Sequence, residues 1–69
     1  MNIEWLDDYK IKVKIVNGEV ILSLNKEGLT TLANHLMCLA MEDVGSHIHY
    51  EEETCLEEGS NSLIIEKID

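Results

Sequence analysis

Alternating apolar and polar residues near the start of the chain predict a β-hairpin. Over residues 9–15 an apolar side chain occupies every second position and three lysines occupy the positions between them, the pattern of a half-buried strand. Asn17 and Gly18 follow, a dipeptide that tolerates the two positive φ angles of a type I′ turn, and residues 19–24 form a second strand. The two-residue turn sets the register. The predicted pairs are Ile11 with Leu24, Val13 with Leu22, Ile15 with Val20 and Val16 with Glu19.

The next segment carries apolar residues at helical spacing. Asn25 is a favourable N-cap, and Glu27 suits the positive end of a helix dipole. Polar residues, among them Thr31 and His35, fall mostly on the face opposite the apolar stripe. We therefore expect a helix over residues 26–43. The stripe consists of Leu29, Leu32, Ala33, Leu36 and Ala40.

Two further strands complete the predicted fold. Residues 47–51 alternate again, with Ile48 and Tyr50 on one face and two histidines on the other, and residues 63–65 begin a last strand. The order β-β-α-β-β predicts an α+β fold, a four-stranded antiparallel sheet with one helix packed on one face. A chain of this length supports one core, so we expect a single domain over residues 1–69. Trp5 either caps this core or extends the first strand.

The charge balance narrows the class of partner. Fourteen acidic residues face five lysines, and the net charge is −9. Such a field opposes nucleic acid and anionic lipid. It favours encounter with a basic protein, although acidity that serves only solubility is the alternative. We expect neither nucleic acid nor a membrane as partner.

The expected location is the cytoplasm. No apolar run approaches the roughly 20 residues that a membrane span needs. The first residues lack the basic-then-apolar order of a signal peptide. Cys38 and Cys55 are therefore expected to be free thiols in a reducing compartment.

Candidate catalytic and metal-binding residues are sparse. His47 and His49 lie two apart with Glu51 beyond them, but a metal site needs three or four ligands. Cys38 lies three residues after His35, a spacing that suits a thiolate activated by imidazole, yet no third orienting group is visible. We expect no enzyme activity, no metal and no cofactor.

An acidic segment follows the third strand. Such a run is commonly a solvated connection, but Cys55 and Leu56 within it favour a loop that folds back onto the domain. A docked loop would hold its carboxylates where they can bind lysines and arginines of a partner. The sheet face with Ile21 and the two histidines is the other candidate contact surface. The five glutamates of the segment are Glu51, Glu52, Glu53, Glu57 and Glu58.

Several short phrases of the chain resemble immunity protein family thirty-two of bacterial polymorphic toxin systems. The similarity extends from residue 25 to residue 67, and the hairpin before it matches less specifically. The phrases are Asn25-Lys26-Glu27-Gly28-Leu29, Leu32-Ala33-Asn34-His35-Leu36, Gly45-Ser46-His47-Ile48-His49-Tyr50 and the run from Leu56 to Lys67.

The resemblance implies a small cytoplasmic α+β protein that binds and blocks the active domain of a cognate toxin, without chemistry of its own. The alternative is a small acidic homodimeric adaptor or regulatory module. A homodimer is expected to cover Met37, Met41 or Ile21. Combined with the acidic segment, the resemblance makes these the candidate partner-binding residues: His47, His49, Tyr50, Glu51, Glu52, Glu53, Glu57 and Glu58.

Replacing Gly18 with Val should destabilise the protein by about 1 kcal/mol or more, because a β-branched side chain resists positive φ. Urea unfolding of the wild type and the variant measures this difference. An unchanged free energy of unfolding would contradict the turn assignment.

Overall fold

Two antiparallel two-stranded sheets and one helix make up the fold. The computed structural model describes residues 1–69, and its elements follow the order β1 (Ile11–Val16), β2 (Glu19–Leu24), α1 (Lys26–Ala40), β3 (His47–Tyr50) and β4 (Leu63–Glu66). β1 pairs with β2, and β3 pairs with β4. The predicted α+β class and the order of elements are confirmed.

The first hairpin has the predicted turn and register. Asn17 has a φ of 51° and Gly18 a φ of 80°, as a type I′ turn requires. Local turn chemistry therefore decides which side chains share a face of this hairpin. All four predicted pairs are observed: Ile11 with Leu24, Val13 with Leu22, Ile15 with Val20 and Val16 with Glu19.

The prediction of one four-stranded sheet was wrong, because no strand pairs with the outer edge of β1. The loop at residues 57–61 occupies that edge instead. The carbonyl of Ile11 accepts the backbone N–H of Glu57 at 2.9 Å, and the carbonyl of Val13 accepts that of Asn61 at 2.7 Å.

Side-chain oxygens of the same loop satisfy the remaining donors of this edge. The N–H of Val13 donates to Ser60 Oγ at 3.1 Å, and that of Ile15 donates to Asn61 Oδ1 at 3.1 Å. Because these acceptors belong to side chains, the loop satisfies the backbone groups at this edge of β1 without becoming a strand paired with it. The two sheets consequently remain separate.

The helix begins where predicted and ends earlier. Asn25 Oδ1 accepts the N–H of Gly28 at 2.7 Å and that of Lys10 at 2.8 Å, so the N-cap also holds the start of the hairpin. The helix ends at Ala40, not at residue 43. Lys67 Nζ donates to the carbonyls of Ala40 and Glu42, which satisfies acceptors that a longer helix would have bonded itself. α1 is neither long nor apolar enough to cross a membrane.

The face that α1 turns inward is not the predicted apolar stripe. Leu29 and Leu36 of the stripe are 56% and 45% exposed, and Leu32 is partly buried against the core. The placement of Thr31 and His35 on the outer face was therefore wrong. The buried helical residues are Gly28, Thr31, His35 and Leu39.

The first residues of the chain explain this rotation of the helix. They form no strand, so their backbone groups need side-chain partners where they become buried. Thr31 Oγ1 accepts the N–H of Leu6 at 3.1 Å, and His35 Nε2 contacts the carbonyl of Glu4 at 2.7 Å. A helix rotated to bury its leucine stripe would leave these groups without partners.

Trp5 caps the core and does not extend β1. Its ring lies 4.5 Å from that of His35, 5.0 Å from Tyr9 and 6.0 Å from Tyr50 between centroids. The buried apolar cluster against which Trp5 packs comprises Ile11, Val13, Leu39, Ile48, Tyr50 and Leu56.

Replacing Gly28 with Ala should destabilise the protein, although Ala is the better helix former. A Cβ at this position would lie 2.2 Å from the carbonyl oxygen of Lys10, and such overpacking costs about 1–3 kcal/mol. Thermal or urea unfolding reports the change, with Thr30→Ala on the exposed helix face as control. A stabilised Gly28→Ala variant would show that α1 does not approach Lys10, the residue before β1, this closely.

Candidate functional site

The acidic segment between β3 and β4 is anchored to the domain. Its Leu56 is only 7% exposed and belongs to the core. The carbonyl of Glu51 accepts the N–H groups of Cys55 at 2.9 Å and Leu56 at 3.0 Å, which forms a tight turn. The hydroxyl of Tyr9 donates to the carbonyl of Cys55 at 2.9 Å.

The second half of the segment is held as firmly as the first. Lys14 Nζ donates to the carbonyl of Gly59 at 2.9 Å. The N–H of Gly59 donates to the carboxylate of Glu52, which ties the two halves of the segment together. With the bonds to β1 described above, the segment has a defined path from Glu51 to Asn61.

The five glutamates of this segment are exposed and have no cationic partner, although the carboxylate of Glu52 also accepts the N–H of Gly59. The chain has a single ion pair within 4.0 Å, between the N-terminal amine and Glu42 at 3.9 Å. None of the five is therefore neutralised by a lysine of the same chain. We call them the acidic surface, and its members, all exposed, are Glu51, Glu52, Glu53, Glu57 and Glu58.

A cavity of about 320 Å³ lies beside the acidic surface. It connects the outer face of β3 with the anchored segment, so the structure brings one of the predicted histidines next to the loop. Aromatic rings form part of its wall, and an aromatic face attracts a cation. The lining residues are Trp5, Tyr9, His49, Thr54 and Cys55.

The ionisation of Tyr9 reflects the field at this cavity. Burial raises the pKa of the Tyr9 hydroxyl, and the negative charges of Cys55 and Glu57 raise it further. Burial disfavours a charge of either sign, so this part of the shift selects neither cation nor anion. The carboxylate of Glu57 is the group near Tyr9 that attracts a cation.

The structure separates the two predicted histidines from Tyr50. His47 and His49 are exposed, with ring centroids 4.9 Å apart in an edge-to-face arrangement. Tyr50 is 0% exposed, and its hydroxyl lies 2.9 Å from Nδ1 of His35. Tyr50 therefore cannot contact a partner directly in this conformation. Its hydrogen bond to His35 instead helps to hold β3, which carries the two exposed histidines, in place.

The hydrogen bonds of His35 define its tautomer. A carbonyl oxygen only accepts, so Nε2 carries the proton and donates to Glu4, while Nδ1 accepts from the hydroxyl of Tyr50. Both ring nitrogens are thus occupied, and neither serves Cys38, whose Sγ lies 4.0 Å from the carbonyl of Asn2. The arrangement required for a thiolate activated by this histidine is not formed.

Metal ligands are not grouped in the fold. No three His, Cys, Asp or Glu side chains are arranged to hold a metal ion. His47 Nδ1 instead donates to the carbonyl of Gly45 at 3.1 Å. Cys38 and Cys55 are unpaired.

Two residues that line the cavity are not predicted as site residues by the sequence pattern. That pattern predicts Trp5 only as a core cap or part of the first strand, and Tyr9 only as an inward-facing residue of that strand. The available signal was their aromatic character, since the chain has one Trp, two Tyr and no Phe. Nothing in their spacing indicated that they would meet His49, which lies 40 positions beyond Tyr9.

Comparison with known proteins gives one match. The sequence model of a family described as immunity protein 32 matches residues 19–68. No curated protein and no solved structure matches the chain. The matched range contains every residue of the acidic surface and both exposed histidines, whereas Trp5 and Tyr9 lie outside it.

Stability should fall at alkaline pH because of Tyr50. Burial first, and then the charge of Cys55, raise its pKa from 10.0 to about 12. The folded state thus favours the neutral phenol. The resulting stability is complete below pH 10, where the unfolded chain begins to ionise, and is lost as pH rises towards 12. Urea unfolding across this range measures the loss.

Tyr50→Phe is the matched variant. It should be less stable at neutral pH by about 1–3 kcal/mol, because Nδ1 of His35 loses its donor. Its free energy of unfolding should also fall less steeply at alkaline pH. The decline that remains comes from Tyr9, whose pKa is also raised. Parallel stability curves for the wild type and Tyr50→Phe would contradict the assigned role of Tyr50.

Proposed function

The chain belongs to the immunity protein 32 family, and from this premise we propose that it binds a bacterial toxin in the cytoplasm and neutralises it by direct contact. The action needs no catalysis by this chain and no cofactor. The observation that carries the proposal is the anchored acidic surface, whose carboxylates are exposed and have no cationic partner within the chain.

Anchoring matters because it lowers the cost of binding. A floating loop loses conformational entropy when a partner orders it, and that loss is subtracted from the affinity. Here Leu56 in the core and the bonds from Glu57 and Asn61 to β1 have already ordered the segment. Its carboxylates can form charge-assisted hydrogen bonds with lysines and arginines at little further entropic cost.

The partner that fits this surface is a basic protein. The net charge of −9 accelerates encounter with a positively charged site, and local charge complementarity then orients the two molecules. We propose that one cationic side chain of the toxin enters the cavity beside Trp5 and Tyr9. Buried anchors of this kind dominate the energy of protein interfaces.

Neutralisation follows if the contacted site is the one that the toxin uses. A toxin that acts on nucleic acid needs a basic site for the phosphate backbone. An acidic protein seated on that site excludes the substrate by occupying its space and its charge. This mechanism requires only binding and no chemistry from the inhibiting chain.

The first experiment tests the function itself. The toxin domain that the proposal expects to be encoded next to this chain is expressed in bacteria with and without the chain, and growth is followed. Coexpression should restore growth, and the two purified proteins should form a complex. Absence of both protection and complex formation would refute the proposed function.

The second experiment tests the acidic surface. The double variant Glu57→Lys, Glu58→Lys should associate with the toxin domain about tenfold more slowly at low salt. The wild-type rate should fall steeply between 0.1 and 1 M salt, because the Debye length falls from about 10 Å to about 3 Å. Surface plasmon resonance measures both effects.

The matched control changes the same net charge elsewhere. Asp43→Lys with Asp69→Lys alters the total by the same amount, but both residues lie near the C-terminal end of α1. This control should slow association much less, and Lys12→Glu should leave the rate level or raise it. Equal effects of the two double variants would reduce the role of the acidic surface to that of net charge.

A further inference from the structure

The outer edge of β2 has no hydrogen-bonding partner. Ile11, Val13 and Ile15 direct their backbone groups to the loop on the far edge of β1. Their cross-strand neighbours Leu24, Leu22 and Val20 therefore direct theirs away from β1, by the alternation of an antiparallel ladder. β2 pairs with no other strand, so these groups face outward along residues 20–24.

This edge lacks the features that keep edge strands apart. Proteins protect such edges with charged side chains, proline or bulges. Residues 20–24 contain no charge and no proline, and the register with β1 is continuous from end to end. The edge is consequently competent to add another strand.

Exposed apolar side chains lie both on the hairpin and on the helix. Ile15, Val20 and Leu22 are 55%, 61% and 41% exposed, although they share a face with buried Ile11 and Val13. On α1, Leu32 is partly buried against the core, and the leucines of the same stripe on either side of it are exposed. Leu24 of β2 is likewise partly buried against the core. We call Ile15, Val20, Leu22 and Leu29 the apolar surface. None of its members is charged, in a chain of net charge −9.

The exposed area of the chain exceeds that of a monomeric protein of its size. The accessible surface is 4970 Å². A folded monomer of 7.8 kDa has about 4,400 Å² by the usual scaling. The excess of about 600 Å² equals what each partner buries in the smaller stable dimers.

We propose that the chain forms a symmetric dimer by antiparallel pairing of β2 with β2 of a second copy. The two-fold axis passes beside Leu22, which pairs with Leu22 of the other chain, while Val20 pairs with Leu24. The two hairpins become one four-stranded sheet, and the apolar surfaces meet beneath it. Glu19, the nearest charge on the strand, then faces a neutral Asn25.

A second copy fits this surface because two chains that each carry a net charge of −9 repel each other. Their repulsion is smallest where they meet through uncharged residues. The surface around Ile21 does not meet this condition, since Ile21 shares the other face of the hairpin with Lys12 and Lys14. The acidic surface adjoins β1 on the opposite edge of the hairpin and stays free. The dimer therefore presents two toxin-binding surfaces, and its formation does not depend on the toxin.

Sedimentation equilibrium of the chain alone tests the dimer. The wild type should dimerise, and Val20→Lys should weaken the dimer by about tenfold or more, since a lysine would be buried without a partner. Val20 is 61% exposed in the single chain, so the variant should fold normally by circular dichroism. Met41→Lys, at the 85% exposed C-cap of α1, should leave the dimer unchanged.

Cross-linking tests the register without relying on stability. In a background with Cys38→Ser and Cys55→Ser, oxidation should join two copies of Leu22→Cys, because paired Cα atoms about 5.5 Å apart lie within disulfide range. Ile21→Cys, which faces Ser23 of the other copy, should cross-link poorly.

Three results would overturn the proposal. The first is a wild type that remains monomeric at high concentration. The second is a dimer broken by Met41→Lys and not by Val20→Lys. The third is a monomer whose toxin binding is abolished by Val20→Lys, which would assign the edge of β2 to a strand of the toxin.

Discussion

The buried ring of His35 fixes how the helix sits on the rest of the protein. Its Nε2 donates to the carbonyl of Glu4, and its Nδ1 accepts from the hydroxyl of Tyr50. The ring is 0% exposed and its bond to Tyr50 is buried, so a missing partner there costs about 1–3 kcal/mol. The ring therefore ties three parts of the chain that are remote in sequence: the first residues, α1 and β3.

The strand β1 plays a similar role for the acidic segment. One of its edges pairs with β2, and the other receives residues 57–61 through both backbone and side-chain atoms. This second edge converts a loop rich in glutamate into a surface with a defined path. The proposed function depends on that conversion, because carboxylates that are already in place recognise cations with less loss of entropy.

The two constraints leave different surfaces uncovered. Turning His35 and Thr31 inward leaves Leu29 and Leu36 exposed on the outer side of α1. Docking the loop on one edge of β1 leaves the far edge of the hairpin unpaired. Charge is thus concentrated at one edge of the hairpin and apolar area at the other, which allows a basic partner and a second copy to bind without competition.

Residues near one another in sequence determined the hairpin, its register and the start of the helix. Positive φ at Asn17 and Gly18, alternation along β1 and β2, and the side chain of Asn25 act over a few positions, so the sequence was sufficient to predict them. Docking of the acidic segment was also indicated, because Leu56 is an apolar residue within a polar run. The rotation of α1 and the separation of the two sheets were decided only by tertiary structure. Both depend on bonds between residues 25 to 48 positions apart, such as Thr31 with Leu6 and Asn61 with Val13, and the satisfaction of these buried polar groups outweighs burial of the leucine stripe.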